Sequence, residues 1–197
     1  MNLSDDAALV DLCDTWIRSR QHIGPKHLGE PAPDEATLRA LFTAAAAAPD
    51  HAQLRPWRFL VLGPAARARL SEVFAQALLE RDPAALDYQL SEARQKAFRG
   101  PVLILAVVDL RAEHADVPPM ERVFSLGSAV QNLLLAAQAR GFASGLSSGR
   151  ALSSEALRQA FDIAPGEHAL CFVSLGTPTR HKTPRQRPDV DDFVRWV

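Results

Sequence analysis

The chain has 197 residues, 47% of them hydrophobic and 23% charged, which suits one domain with a sizeable core and excludes intrinsic disorder. Its 22 basic and 23 acidic side chains leave a net charge of −1, so neither nucleic acid nor an anionic membrane is expected as the main partner. The first six residues contain two acids and no basic segment, and no apolar run approaches ~20 residues, so neither a signal peptide nor a membrane span is expected and a cytoplasmic setting is.

The first predicted helix covers residues 5–18, where Leu9, Leu12, Cys13, Trp16 and Ile17 recur at helical spacing. Asp34 is placed to cap a second helix with Leu38, Leu41, Phe42 and Ala45 on one face. Residues 59–62 read as a strand, and Pro64 opens a third helix carrying Leu70, Val73, Phe74 and Leu78. A weaker helix is expected over 83–98. Residues 102–108 are continuously apolar, the pattern of a strand covered on both faces. The helix over 124–140 is apolar almost all round, which places it in the core or at a subunit interface, and Gly141 is its expected C-terminal cap. A strand over 143–148, a short helix over 153–161 and a strand over 170–175 follow. The tail after Gly176 is rich in Pro and basic residues and ends in Phe193, Val194, Trp196 and Val197, which favour wrapping onto a partner. Cys13 and Cys171 sit among apolar residues and are expected as buried free thiols, not as a disulfide.

The segment Ala48-Pro-Asp-His-Ala-Gln-Leu-Arg-Pro-Trp57 carries the most information. Pro49 stops the alanine-rich helix, Pro56 holds its predecessor extended, and four hydrogen-bonding side chains (Asp50, His51, Gln53, Arg55) lie on the loop between. An ordinary polar connection has the same outline. The segment nevertheless resembles the flavin-lining turn of the FMN-dependent nitroreductases, closest to the small YdjA-like members. Further matches keep family order: Glu30-Pro-Ala-Pro33, Ala97-Phe-Arg-Gly-Pro101, Val117-Pro118 with Glu121, Gly141-Phe142 and Leu175-Gly-Thr-Pro178. The resemblance spans residues 16–194. It implies an α+β sandwich, with a mixed, mostly antiparallel sheet flanked by helices, in one domain over 1–197. Residues 176–197 would form an extended arm exchanged in a homodimer.

The resemblance also assigns a site. A flavin mononucleotide needs cationic or backbone donors for its phosphate and donors along its ring edge. For the phosphate, the family's Arg-Arg-Ser aligns with Ser19-Arg20-Gln21, where Arg20 keeps the charge; Arg18 and Arg20 also suit the negative end of the helix. Gly145-Leu-Ser-Ser-Gly149 lacks an Arg that relatives carry among Leu146, Ser147 and Ser148. Arg185 and Arg187 resemble the Lys-x-Arg of larger relatives and supply a substitute, unless the tail is simply a solvated basic run. His51 and Gln53 match ring contacts, and Tyr88, Phe98, Met120 and Glu121 match the cover of the flavin's open face. Ala47 replaces an Arg expected to stabilise reduced flavin, a loss that Arg55 is placed to offset.

The implied activity is an NAD(P)H nitroreductase-like flavin oxidoreductase in which no side chain acts as obligatory acid or base, the FMN carrying the chemistry. NAD(P)H would reduce the flavin, and a nitroaromatic, quinone or similar acceptor would reoxidise it. Other flavin chemistry on the scaffold (dehalogenation or desaturation) and non-catalytic binding, suggested by the changes at Ser19, Gln21, Ala47 and Ser147, are the alternatives. His22, His27, His114, His168 and His181 lack metal-ligand spacing, so no metal is expected, and no Gly-x-Ser-x-Gly elbow or dinucleotide glycine motif is present.

Overall fold

A computed structural model of the chain describes residues 6–111, 116–180 and 182–197; Asp5, His114 and His181 lie outside them. The first helix, α1 (Ala7–Ser19), starts where the Asp6 carboxylate accepts the Ala8 and Leu9 N–H groups at 3.1 and 3.3 Å. It buries no side chain: Val10, Leu12 and Ile17 are exposed, and so is Cys13, contrary to the expectation of a buried thiol. The amphipathic pattern is real, but the described residues leave most of its apolar stripe uncovered, with only Leu9 and Trp16 partly buried. Cys171 is half-buried, and burial pushes its thiol up to about 11, so it stays protonated and inert.

Five strands form one antiparallel sheet: β1 (Leu28–Gly29), β2 (Trp57–Val61), β3 (Val102–Asp109), β4 (Ala143–Ser147) and β5 (Glu167–Pro178). β3 lies between β2 and β5, while β5 also pairs with β4 and, at its C-terminal end, with β1. Among the described residues, the parallel pairing is an isolated bridge between His22 and Ser144. Side chains alternate across β3. Ile104, Ala106 and Val108 pack under α2 (Glu35–Ala45) and α5 (Pro119–Ala139), whereas Leu103, Leu105 and Val107 pack under α3 (Pro64–Arg81) and α6 (Glu155–Ala160). This explains the unbroken apolar run of β3. α4 (Asp87–Gln95) packs beside α3. The sandwich is the α+β arrangement expected.

Boundaries moved where charge broke the apolar pattern. α5 begins at Pro119 rather than near 124 because Arg122, only 2% exposed, is buried by donating to the carbonyls of Val117 and Arg111. β5 extends three residues further each way than 170–175, so residues 176–178 belong to the sheet and not to a free arm. Gly176 is required there: a Cβ would lie 2.7 Å from the Pro101 ring and 2.9 Å from the Gly29 carbonyl oxygen. The fourth helix shrinks to nine residues, followed by a 3-10 turn over Lys96–Phe98.

One ion pair ties β2 to β5. Arg58 donates twice to Glu167, at 2.9 Å from both Nε and Nη2, and the Ala164 N–H adds a third bond. Arg58 above all, then the Ala164 N–H, holds the Glu167 carboxyl below the usual carboxylate range. A depressed folded-state value means this stabilisation is present above the unfolded value of about 4.3 and is lost as pH falls through the folded one. Glu167→Gln is therefore expected to flatten the acid limb of the stability profile below about pH 4.3. Acid-unfolding curves of parent and variant with the same slope would contradict this.

Candidate active site

The segment leaving α1 is pinned along the outer edge of β4. Ile23 N–H donates to the Ser144 carbonyl at 2.9 Å, and Leu146 N–H donates to His22 Nδ1 at 3.3 Å. Gly145 permits the approach, because a Cβ there would lie 2.0 Å from the Ile23 carbonyl oxygen. β4 is itself aimed by the end of α5. Gly141, at φ +79°, closes that helix as expected, with Phe142 N–H on the Ala137 carbonyl and Gly141 N–H on that of Gln138. Gln138 Nε2 then donates to the Trp16 carbonyl and to Ser19 Oγ at 3.0 and 2.8 Å, which anchors the end of α1.

A cavity of about 330 Å³ opens here, lined by Ser19, Arg20 and Gln21 together with Gln138, Phe142 and Lys182. Its electrostatics are one-sided. The Arg20 guanidinium is half-buried and has no hydrogen-bond or ion-pair partner among the described residues; burial, then the charge of Arg187, lowers its proton affinity. The His22 imidazole is pushed below its usual range by burial and then by Lys182, Arg20 and Arg185. Arg187 donates to the Arg18 and Arg20 carbonyls at 3.1 and 2.5 Å, and Lys182 to that of His22 at 2.7 Å. The tail thus returns to the end of α1 of its own chain. Among the described residues no carboxylate pairs with any of these cations. A half-buried guanidinium without a counter-ion suits a phosphate, which accepts bidentate bonds.

A second cavity, also about 330 Å³, lies on the other face of β4, between α3, α4 and a 3-10 turn over Arg150–Ser153. Ser147, Ser148 and Gly149 form one wall, and Lys96 and Arg99 face them. Leu146 points the opposite way, into a recess beside α5 with Cys171 and Gly127. Lys96 escaped the sequence reading, and Arg99 entered it only within the Ala97–Pro101 match, without a site role. Lying between a helix end and a strand, they read as ordinary surface charge. Tyr88 and Phe98 are exposed and line neither cavity.

His51 and Gln53 lie on a 3-10 turn at the opposite end of α5. Ala52, Gln53 and Arg55 have φ of 56°, 54° and 48°, a left-handed conformation that non-glycine residues adopt at a cost. The Asp50 carboxylate holds the turn by accepting the Arg55 N–H at 2.6 Å. His51 Nδ1 meets Glu121 Oε2 at 2.7 Å, beside the exposed Met120, and the Trp57 indole donates to Ser125 Oγ at 3.0 Å. The structure therefore joins His51 to Glu121 but not to Arg20. From Glu121 to Gln138 the helix rises ~25 Å at 1.5 Å per residue. His51 and Arg20 thus sit beside opposite ends of α5.

Residues 17–177 match the model of the nitroreductase family. Two relatives carry the name "Putative NAD(P)H nitroreductase". One, from Haemophilus influenzae, is 34% identical over 87% of this chain and 93% of its own length; the other, YdjA of Escherichia coli K12, is 34% identical over 86% and 91%. A nitroreductase-like protein of Bacillus cereus superposes with a TM-score of 0.78 at 17% identity, covering 93% of this chain and 95% of its own. The FMN-dependent nitroreductase NfnB of Mycobacterium smegmatis, solved with NADPH, superposes with a TM-score of 0.72 at 19% identity, covering 96% and 99%. The latter two share the fold.

Proposed function

Because the chain belongs to the nitroreductase family, we propose that it is an FMN-dependent oxidoreductase using NAD(P)H to reduce a nitroaromatic, quinone or similar acceptor. The observation that carries the reading is the Arg20 guanidinium, half-buried, without a partner among the described residues and facing the charge of Arg187. Arg20, Gln21 and Arg187 would hold the FMN phosphate, with Arg185 adding to the field. The Ser147 and Ser148 backbone would meet the ring edge, with Lys96 supplying positive charge from the second cavity. Bound FMN would accept hydride from NAD(P)H and pass the reducing equivalents to the acceptor. The chain's own groups bind, orient and exclude water; nothing in the site requires a carboxylate pair or a nucleophile.

The ~25 Å rise of α5 between Glu121, which meets His51, and Gln138, which anchors the end of α1, supports a homodimer with the flavin at the subunit interface. His51, Gln53, Met120 and Glu121 of one subunit would then complete the site built by Arg20 and β4 of the other. The uncovered stripe of α1, Phe124 at 68% exposure on α5 and Trp196 at 88% in the tail give such a partner apolar surface to bury. Residues 1–197 would form one domain, the tail beyond Arg187 continuing onto the partner. Two free thiols suit a reducing, cytoplasmic setting, and among the described residues no helix is long and apolar enough to cross a membrane.

Fluorescence titration of the purified protein with FMN tests the assignment. Quenching that saturates at one FMN per chain is expected, and protein that cannot be loaded returns the chain to a non-catalytic role. Light scattering at micromolar concentration is expected to give twice the chain mass; a stable folded monomer would contradict the shared site.

A further inference from the structure

We propose that the acceptor for this site is an organic anion, a flat and largely apolar molecule bearing a carboxylate or sulfonate, and that Arg81, Arg99 and Arg150 receive its acidic group. The inference rests on the reading above that FMN lies along β4, and it names the substrate class of that same site.

The second cavity is bordered by four basic side chains and by no Asp or Glu. Arg81 closes α3, Lys96 and Arg99 follow α4, and Arg150 follows β4, so separate parts of the chain converge there. Their convergence is not the charged face of one helix, and in a chain of net charge −1 it does not follow from a generally basic surface. None of the four has an ion-pair partner among the described residues, whereas Arg39, Arg58 and Arg94 pair with Glu35, Glu167 and Glu72.

Opposite the Ser147–Gly149 wall the lining is largely apolar, with Phe74 and Phe172 meeting edge to face at 5.8 Å. A second observation points inward. Ser174 lines the cavity from the middle of β5, is fully buried, and its Oγ has no hydrogen-bond partner. A buried hydroxyl without a partner is costly and rare, and this one can donate to an oxygen entering the cavity. Apolar walls, an inner hydroxyl and a cationic rim together suit an amphiphilic anion that buries its ring and keeps its charge at the mouth. A neutral quinone would use the walls and leave the rim idle.

The test compares para-nitrobenzoate with its methyl ester, the same ring with and without the charge, titrated calorimetrically into FMN-loaded, oxidised protein at low salt. The acid is expected to bind at least tenfold more tightly, with a preference that shrinks as salt is raised. Arg99→Ala combined with Arg150→Ala should bring the acid-to-ester ratio towards one. Arg99→Lys with Arg150→Lys, which keeps the charge and guards against a folding defect, should retain most of it. Equal affinities, or a preference for the ester, in protein that binds FMN and oxidises NAD(P)H would overturn the inference. So would an acid preference that survives the double alanine variant, or a double variant that changes only the NADPH-to-NADH ratio, which would assign the cations to the nucleotide. Protein that takes up no FMN defeats the parent reading instead, and the same two titrations without FMN still decide whether the cavity selects the anion.

Discussion

Gly145→Ala is expected to strip FMN from the protein while leaving it folded. The added Cβ would lie 2.0 Å from the Ile23 carbonyl oxygen and 3.0 Å from its carbon, both backbone atoms that cannot rotate away. The segment 20–23 must then leave the edge of β4, breaking the bonds from Ile23 to Ser144 and from Leu146 to His22. Overpacking of this kind costs about 1–3 kcal/mol of stability, a part of the ~5–15 kcal/mol of an ordinary domain. Displacing Arg20 removes a charge-assisted contact of about 1.5–3 kcal/mol, or roughly tenfold to a hundredfold in FMN affinity. Thermal unfolding and FMN titration on the same sample separate the effects. Unchanged FMN affinity would mean that the register of this segment against β4 does not build the phosphate site.

Arg20→Ala is expected to weaken FMN binding by the same tenfold to hundredfold with a smaller effect on folding, because the guanidinium holds no partner among the described residues. Its removal relieves a half-buried charge crowded by Arg187, so the FMN-free protein should be as stable as the parent or slightly more so. A loss of stability without a loss of FMN affinity would make Arg20 a structural residue. Arg185→Ala with Arg187→Ala probes the tail separately. Arg187 both contributes charge and grips the Arg18 and Arg20 carbonyls, so the pair should weaken FMN binding without dissociating the proposed dimer.

The helices and the central strand were legible because their signals are local. Asp34 caps α2 through the Thr37 N–H at 2.8 Å, Pro64 opens α3, and Gly141 closes α5, each by chemistry contained within a few residues. The site was legible only in part. Arg20 kept the charge of a family pattern and Ser147 marked a departure from one, whereas Lys96 and Arg99 look like any basic residues between a helix and a strand until β4 is seen opposite them. The error at Cys13 has the same origin: helical spacing identifies an apolar stripe but not whether the chain's own residues cover it. Nor does sequence reveal that His51 and Arg20 lie at opposite ends of one helix, a separation that supports a shared site.

Anaerobic titration of the FMN-loaded protein with NADPH and with NADH, followed by its visible absorbance, tests the central claim most directly. The account predicts that at least one nucleotide bleaches the flavin stoichiometrically and that a nitroaromatic or quinone then restores the colour. Flavin that stays oxidised in excess of both nucleotides would contradict it.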